Sequence, residues 1–326
     1  MFITDRRKSK ELLFYEALEV RCSLTGQEVK RLRALRRGFE GERAYDALWE
    51  AAGHDHLLIF RDIWLQVGNA VLQADVLIID DGQVTVNEIK NYSGLYRLEN
   101  AVWSVNGYRI SEDPVAQVRR TVGKLTHIRS KGGHSFQIDG KVIFINPDFN
   151  LTSDSETDDR HIINRTMLKP YMADIAAGYA SREASDVAET IKSCIIDDPM
   201  RVPELDPSRI KPGIRCARCS AVDLSIKRYA VECRQCGHHE TTERLVVRAI
   251  VDHSNLFPDA SMDKKQIRWM LADQVGLRCI EHALTKYCIA IKRGKHAAYT
   301  VETHYLEELL AIKQYKSRYE KKPSQI

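Results

Sequence analysis

Alternation of apolar and polar residues predicts a series of strands in the first half of the chain. One alternating segment covers about Leu57 to Gln66, and the next, Gln73 to Lys90, has the sequence QADVLIIDDGQVTVNEIK. An Asp-Gly pair between two alternating segments is a strong β-hairpin signal, because glycine accepts the positive φ that a tight turn needs. We therefore expect Asp81 and Gly82 to join two antiparallel strands.

The register of this hairpin places two acids opposite each other. Directly opposed residues share a face, as do residues two apart on one strand, so one face runs from apolar side chains into Asp75, Glu88 and Lys90. The expected partners are Asp80 with Gln83, Leu77 with Val86, and Asp75 with Glu88. Opposed carboxylates at the edge of an apolar face repel each other, and a divalent cation is the usual compensation. Three alternatives stay open: Asp75 caps a turn, Glu88 pairs with Lys90 in solvent, or the register is off by one.

Helical spacing flanks these strands on both sides. Upstream, the segment RAYDALWEAAG follows Gly38, which would put Glu42 in the first turn of a helix, where an acid is favoured by the helix dipole. Downstream, Asp113 is a suitable N-cap for a helix whose first residue is Pro114. The apolar run KVIFIN (Lys141 to Asn146) then predicts a buried strand. The predicted order is helix, three strands, helix and strand, which is an α/β fold.

The order and spacing of these pieces resemble a NERD domain (nuclease-related domain), a branch of the PD-(D/E)xK nuclease superfamily, over roughly residues 38 to 150. The matching pieces are Gly41-Glu42, Gln73-x-Asp75, Glu88-Ile89-Lys90-Asn91-Tyr92-x-Gly94, Trp103 and Pro114-x-x-Gln117. The family often has a histidine after the acid of its second strand. Val76 stands there in this chain, so an accessory role of that histidine is not carried over.

The resemblance implies a set of roles for these residues. Asp75, Glu88 and Glu42 would hold one or two Mg²⁺ or Mn²⁺ ions beside the scissile phosphate, with the carbonyl of Ile89 as a further ligand. Lys90 would orient or deprotonate the attacking water, or stabilise the developing charge. A further residue, Gln117, would help to place that lysine or the phosphate; the alternative for it is an ordinary polar helix residue.

Cysteine spacing predicts a second, independent metal site. The pairs Cys216-x-x-Cys219 and Cys233-x-x-Cys236 are separated by 13 residues. Two such pairs at this separation are typical of a tetrahedral four-cysteine zinc ribbon, in which zinc is structural because four thiolates complete its shell. The other cysteines have no such spacing and are expected to be buried thiols: Cys22, Cys194, Cys279 and Cys288.

The last part of the chain follows the pattern of a winged helix. Helical spacing covers residues 243–254, a segment from Ser261 or Asp263 to Val275, and about Leu277 to Lys286; the sequence CIAIKRGKHAAYTV then predicts a hairpin with a basic turn. The residues expected to contact nucleic acid are Arg278, His282, Lys286, Lys292, Arg293 and Lys295. The alternative is a helical interaction module with a solvated basic loop. A final helix from Glu302 would end in a basic tail.

Charge divides the chain more sharply than its net value of +4 suggests. Residues 1–37 carry ten Lys/Arg against five Asp/Glu, residues 38–200 carry 16 against 25, and residues 201–326 carry 23 against 15. Two basic flanks would attract a polyanion that the acidic middle repels. The predicted division is a basic N-terminal helix (1–37), a nuclease-like domain (38–198), a proline-rich linker (199–213), a four-cysteine zinc ribbon (214–240) and a winged-helix-like module (241–326).

Together these patterns favour a metal-dependent nuclease that hydrolyses phosphodiester bonds, in DNA rather than RNA. The rival hypothesis is a non-catalytic nucleic-acid-binding regulator that keeps the nuclease fold as a scaffold, and a third is that the C-terminal half recruits a protein partner. No secretory segment, disulfide framework or long apolar run is present, so we expect a cytoplasmic protein that does not enter a membrane. The sequence gives no indication of oligomeric state.

Overall fold

The computed structural model of the chain describes residues 1–132, 136–154, 160–227, 229–292, 294, 297–301 and 310. The fold is mixed α/β, as expected. The chain divides into two compact units: the first consists of Met1–Ser9 and Arg33–Met200, and the second of Lys10–Leu32 and the chain from Arg201 onward. None of the helices within the described residues combines the length and the apolar character that a membrane crossing requires.

The elements alternate along the chain. The helices are α1 (Lys10–Arg21), α2 (Gly26–Ala52), α3 (Pro114–Gly132), α4 (Leu168–Ala176), α5 (Arg182–Lys192), α6 (Thr242–Leu256), α7 (Lys264–Met270) and α8 (Leu277–Tyr287). The strands are β1 (Leu58–Val67), β2 (Ala70–Asp80), β3 (Gln83–Lys90), β4 (Gly94–Glu99), β5 (Val102–Val105), β6 (Tyr108–Arg109), β7 (Gln137–Phe144), β8 (Phe149–Ser153), β9 (Ile162–Ile163), β10 (Ile195–Ile196), β11 (Leu224–Ile226), β12 (Ala230–Cys233), β13 (His239–Thr241), β14 (Ile289–Lys292) and β15 (Ala298–Thr300).

A six-stranded sheet forms the centre of the first unit, in the order β10-β1-β2-β3-β7-β9. Strand β3 runs antiparallel to β2 and parallel to β7, so the C-terminal ends of β3 and β7 lie at the same edge. A smaller sheet, β6-β5-β4-β8, is built from the chain on either side of α3 and β7. Helix α3 packs against β7 and β3 and buries Val115, Val118 and Leu125.

The β2–β3 hairpin has the predicted register. Leu77 pairs with Val86 and Asp80 with Gln83 across the Asp81-Gly82 turn, where Gly82 has a φ of 88°. The four apolar residues of the predicted face are all less than 2 % exposed and belong to the main core: Leu77, Ile79, Val84 and Val86. The ladder ends at Val76 and Asn87, one position before the two acids.

Helix α2 corrects one prediction. It runs without interruption from Gly26 to Ala52, so Glu42 lies in its interior and not in a first turn. The glycines that suggested a helix start have another use, because a Cβ on Gly41 would lie only 2.5 Å from the Cβ of Asn91. Gly41 therefore permits a close approach between α2 and the residue that follows Lys90.

Residues 160–197 are helical only in part. Helices α4 and α5 lie in this segment, but Ile162–Ile163 and Ile195–Ile196 are short strands at the two edges of the main sheet. Paired β-branched residues fit a pleated surface, and a neighbouring strand gives their backbone groups partners that a sequence pattern cannot show.

The second unit contains a three-stranded sheet, β11-β12-β13, followed by helices α6 to α8 and the β14–β15 hairpin. This is the predicted order of three helices and a hairpin, and the likeness to a winged helix stays a prediction. Helix α1 packs against α6. Its Arg21 pairs with Asp252 and donates to the carbonyl of Gly213. The predicted final helix from Glu302 lies, except for Leu310, outside the described residues.

Candidate metal and nuclease site

The two hairpin acids lie where the β2–β3 ladder stops. The carboxylate of Asp75 accepts a hydrogen bond from the backbone N–H of Ile89 at 2.8 Å, in place of a backbone carbonyl. Glu88 is only 4 % exposed. Burial, and to a smaller extent the charge of Asp75, raises the pKa of Glu88 to about 7, and burial also raises the pKa of Asp75. Desolvated carboxylates of this kind gain from a nearby cation.

Lys90 contacts one acid of this pair. Its Nζ donates to Glu88 Oε1 at 2.9 Å and to Gln117 Oε1 at 3.1 Å, and its side chain is 16 % exposed. Burial alone would lower the pKa of Lys90, but the charges of Glu88 and Asp75 outweigh it and the net pKa is raised. The ammonium therefore stays charged, and Gln117 on α3 accepts its second hydrogen bond. The solvated Glu88–Lys90 pair that the sequence left open is a buried pair here.

Glu42 reaches the same region from α2, and there it meets a residue that sequence reasoning missed. Arg6 Nη1 donates to Glu42 Oε2 at 2.7 Å, and Arg6 Nη2 donates to the backbone carbonyl of Asp75 at 3.2 Å. The same guanidinium binds both oxygens of Asp46, at 2.7 and 3.0 Å. Burial and the charge of Asp75 raise the pKa of Glu42 to about 8, against the lowering effect of Arg6.

Asp62 is another acid that sequence reasoning missed. It has a left-handed φ of 47° within β1, where the β1–β2 ladder passes from Arg61–Val76 to Ile63–Ala74 without including it. Its Oδ1 accepts from Gln73 Nε2 at 3.0 Å, which gives a role to the glutamine of the Gln-x-Asp motif. Burial raises the pKa of Asp62. The signal in the sequence for Asp62 is a lone acid within an apolar strand. Arg6 lies 69 residues from Asp75, and no sequence pattern indicates its role.

The four cysteines of the second unit form a compact cluster. Within the described chain they are the one group of three or more Cys, His, Asp or Glu side chains whose donor atoms all lie within 4.8 Å of one another. The sulfurs of Cys216 and Cys236 are 3.6 Å apart, as are those of Cys219 and Cys233. Zn–S bonds of about 2.3 Å in a tetrahedron require sulfurs about 3.8 Å apart, so this set fits zinc.

Local backbone geometry closes both cysteine pairs. The residue after the second cysteine has a left-handed φ in each case, 59° at Ser220 and 68° at Gly237. The backbone N–H of Arg218 donates to the Cys216 sulfur at 3.3 Å. Of the remaining cysteines, Cys22 is buried and Cys194, Cys279 and Cys288 are partly buried.

The predicted nucleic-acid contacts are less uniform than the sequence suggests. On α8, Lys286 Nζ lies 2.8 Å and His282 Nε2 3.9 Å from Glu243 Oε1, and this partner raises the pKa of Lys286. Arg278 on the same helix and Lys292 on β14 are exposed. Arg293 and Lys295 lie outside the described residues.

Comparison with known proteins agrees with this geometry. Residues 37–145 match the family model of the nuclease-related domain, NERD. The chain carries a nuclease-related domain. The match includes α2 from Arg37 onward, the β2–β3 hairpin, α3 and β7, and thus every acid and cation of the first unit described above except Arg6. No curated protein and no solved structure matches the chain.

The acids of the NERD domain fit a divalent cation by their chemistry. Asp75 and Glu88 are hard oxygen donors, their pKa values are raised by burial, and the ammonium of Lys90 balances only one of their charges. Mg²⁺ and Mn²⁺ prefer such ligands and keep part of their water shell. Among the described residues, the carboxylate oxygens of Glu42, Asp75 and Glu88 do not all lie within 4.8 Å of one another. The carboxylate of Glu42 accepts from Arg6.

Proposed function

We propose that the protein is a nuclease that hydrolyses phosphodiester bonds in DNA and depends on Mg²⁺ or Mn²⁺. The observation that carries the proposal is the buried Glu88–Lys90 pair beside Asp75, at the open end of the hairpin, in a segment that matches the nuclease-related domain. A purely structural sheet gains nothing from two desolvated acids at this position, since each costs free energy to bury. A cation and a phosphate diester supply the missing partners.

Each side chain has a role that follows from its contacts. Asp75 and Glu88 would hold the ion, with Glu42 as the third acid of the site. A divalent cation supplies, when bound, an activated water and neutralisation of charge at the phosphate. Lys90, fixed between Glu88 and Gln117, presents an ammonium that can orient the attacking water and stabilise the developing negative charge. The hydrogen bond from Ile89 N–H fixes one carboxylate oxygen of Asp75 beside β3.

The second unit would deliver the nuclease to DNA. Its zinc ribbon and its three helices with a hairpin carry a basic excess, and phosphate contacts from exposed lysines and arginines supply sequence-independent affinity. Proposed contacts are Arg278, His282, Lys286, Lys292, Arg293 and Lys295. The preference for DNA rests on the likeness of this element order to a winged helix, which more often docks on duplex DNA.

The test is cleavage by the zinc-loaded full chain. Linear duplex, circular duplex and single-stranded DNA, and an RNA of the same sequence, are incubated with Mg²⁺, Mn²⁺ or EDTA. The variants are Glu88→Gln, which keeps shape and removes charge, and Glu99→Gln as a matched control at an exposed position. We expect metal-dependent cleavage that falls at least about 100-fold in Glu88→Gln, as for other electrostatic groups in active sites, and is unchanged in Glu99→Gln. Binding without cleavage under every condition would favour the regulatory scaffold instead.

A further inference from the structure

Arg6 is a cation of the chain itself that lies inside the acidic site. Its side chain is 3 % exposed, and four hydrogen bonds from its guanidinium go to Asp46, Glu42 and the carbonyl of Asp75. The bidentate contact with Asp46 and the 2.7 Å contact with Glu42 are strong charge-assisted bonds. This guanidinium therefore bridges α2 and β2, the two elements that supply Glu42 and Asp75.

The segment before α1 is held in a way that fixes Arg6. Phe2 forms a parallel bridge with Ile59, and the N–H of Ile3 donates to the Ile59 carbonyl at 2.8 Å. Thr4 Oγ1 donates to the carbonyl of Arg61 at 2.8 Å, so the segment runs along β1. Two backbone contacts and a side-chain contact in consecutive residues leave little freedom to the chain two residues later. The contacts of these three residues with β1 therefore help to fix the position of Arg6.

The charges of the site leave room for a single divalent ion. Five carboxylates belong to it: Glu42, Asp46, Asp62, Asp75 and Glu88. Three cations of the chain contact members of this group: Arg6, Lys90 and Arg61, whose Nη1 is 3.4 Å from Asp46 Oδ2. One divalent ion therefore neutralises the negative charge that these three cations leave. A second divalent ion would add two more positive charges beside a guanidinium that cannot be deprotonated.

We propose that Arg6 takes the place of a second metal ion on the Glu42 side of the site, so that the nuclease works with one divalent cation held by Asp75 and Glu88. This inference rests on the proposed function. Arg6 is a positioning residue here: it orients Glu42 and Asp46 and supplies fixed positive charge, and it does not touch the reacting atoms. An arginine suits this role because its planar fork matches two carboxylates at once, which a lysine ammonium does not.

The experiment counts bound Mn²⁺ by electron paramagnetic resonance on the zinc-loaded full chain. We expect one Mn²⁺ per wild-type chain, with the signal of an isolated ion even at saturation. Arg6→Gln should bind two, with the broadened spectrum of a coupled pair. Arg97→Gln, which removes one positive charge at an exposed position of β4, should still bind one. In Glu88→Gln the affinity should fall at least about tenfold, because a ligand is lost.

The outcomes separate the inference from the proposed function. A coupled pair of ions in the wild type would overturn the inference about Arg6, and a folded Arg6→Gln variant that binds only one ion would do the same. Neither result would contradict the proposed nuclease function. If no Mn²⁺ binds to the wild type, the proposed function fails as well. Circular dichroism shows whether Arg6→Gln is folded, and if it is not, the wild-type spectrum at saturating Mn²⁺ decides between one ion and two.

Discussion

The acids of the first unit and the cysteines of the second are both clusters of anionic donors, yet the chain assembles them differently. The cysteines come from one segment, 216–236, and their sulfurs meet at 3.6 Å through short-range turns. The acids come from α2, β2 and β3, and Arg6 reaches them from 36 to 69 residues away. One cluster is a product of local chain geometry, and the other exists only in the folded sheet.

The two clusters also differ in how their charge is balanced. Arg6 and Lys90 lie within 2.9 Å of the carboxylates, so the chain itself stabilises much of that negative charge. Four thiolates at the spacing of the cysteine cluster would repel one another strongly without a metal. Metal removal should therefore affect the two units unequally: the first unit should keep its fold, and the second should lose it.

Zinc removal is the strongest test of this difference. Structural zinc contributes about 10–16 kcal/mol of apparent binding free energy in small domains, which exceeds the stability of a typical domain. After chelation, hydrogen exchange followed by mass spectrometry should show lost protection in β11–β13 and α6 and retained protection in β2 and β3. Cys233→Ser should reproduce this loss, and Cys288→Ser should not. Equal loss of protection in both units would contradict the expected difference between them.

A glycine substitution tests the long-range assembly of the acidic cluster. Gly41→Ala should destabilise the first unit by about 1–3 kcal/mol, because the new Cβ meets Asn91 at 2.5 Å and must displace the residue after Lys90. The matched control is Gly38→Ala on the same helix, where nothing lies within 4 Å of the new Cβ. There alanine should stabilise the helix by about 1 kcal/mol. Urea unfolding measures the free energy of unfolding of both variants. Equal changes in the two would show that the contact with Asn91 does not affect stability.

The buried imidazole of His253 should make the stability of the second unit depend on pH. It is 2 % exposed, and its Nδ1 has no hydrogen-bond partner in the described part of the chain. Burial lowers its pKa to about 4, against a small opposing effect of Asp263, so the unfolded chain takes up a proton at a higher pH than the folded one. Stability is therefore full above about pH 6.5 and falls as the pH decreases toward 4, by about 2 kcal/mol between pH 7 and pH 5.

The leucine variant isolates this contribution. His253→Leu should lose the part of the pH dependence that His253 causes, while the part due to carboxylates and to zinc release remains. Urea unfolding of the zinc-loaded protein at pH 7 and pH 5 measures the difference between the two proteins. The same slope in wild type and variant would show that His253 does not titrate in this range.

The smallest effect is expected at the surface of the second unit. Lys292→Gln should weaken DNA binding a few-fold and reduce the slope of log affinity against log salt by about 0.9, as expected for one lost phosphate contact. Its comparison is Lys227→Gln, another exposed lysine of this unit, which pairs with Glu232. Fluorescence anisotropy over a salt series gives both slopes. An unchanged slope for Lys292→Gln would show that this hairpin does not contact the DNA phosphates through Lys292.

Several local features followed directly from residue patterns. The Asp81-Gly82 turn and the alternation around it predicted the observed register, since a two-residue turn leaves one way to pair the strands. Asp113 caps α3 as predicted, with its Oδ1 2.9 Å from the N–H of Ala116. Glu42 was misplaced in a first turn because glycine is ordinarily a helix breaker, and the contact that explains Gly41 comes from Asn91, far along the chain.

Residue patterns were enough to predict the cysteine cluster, the hairpin and the nuclease-related segment, because each depends on residues that are close along the chain or on a fixed order of motifs. Folding of distant segments onto one another brings Arg6, Asp46 and Asp62 to the acidic site, packs α1 against α6 and makes Ile195–Ile196 an edge strand. No pattern in the sequence indicates these contacts. A buried charge is stabilised by whichever opposite charge the fold brings within about 3 Å, and separation along the chain does not restrict that choice.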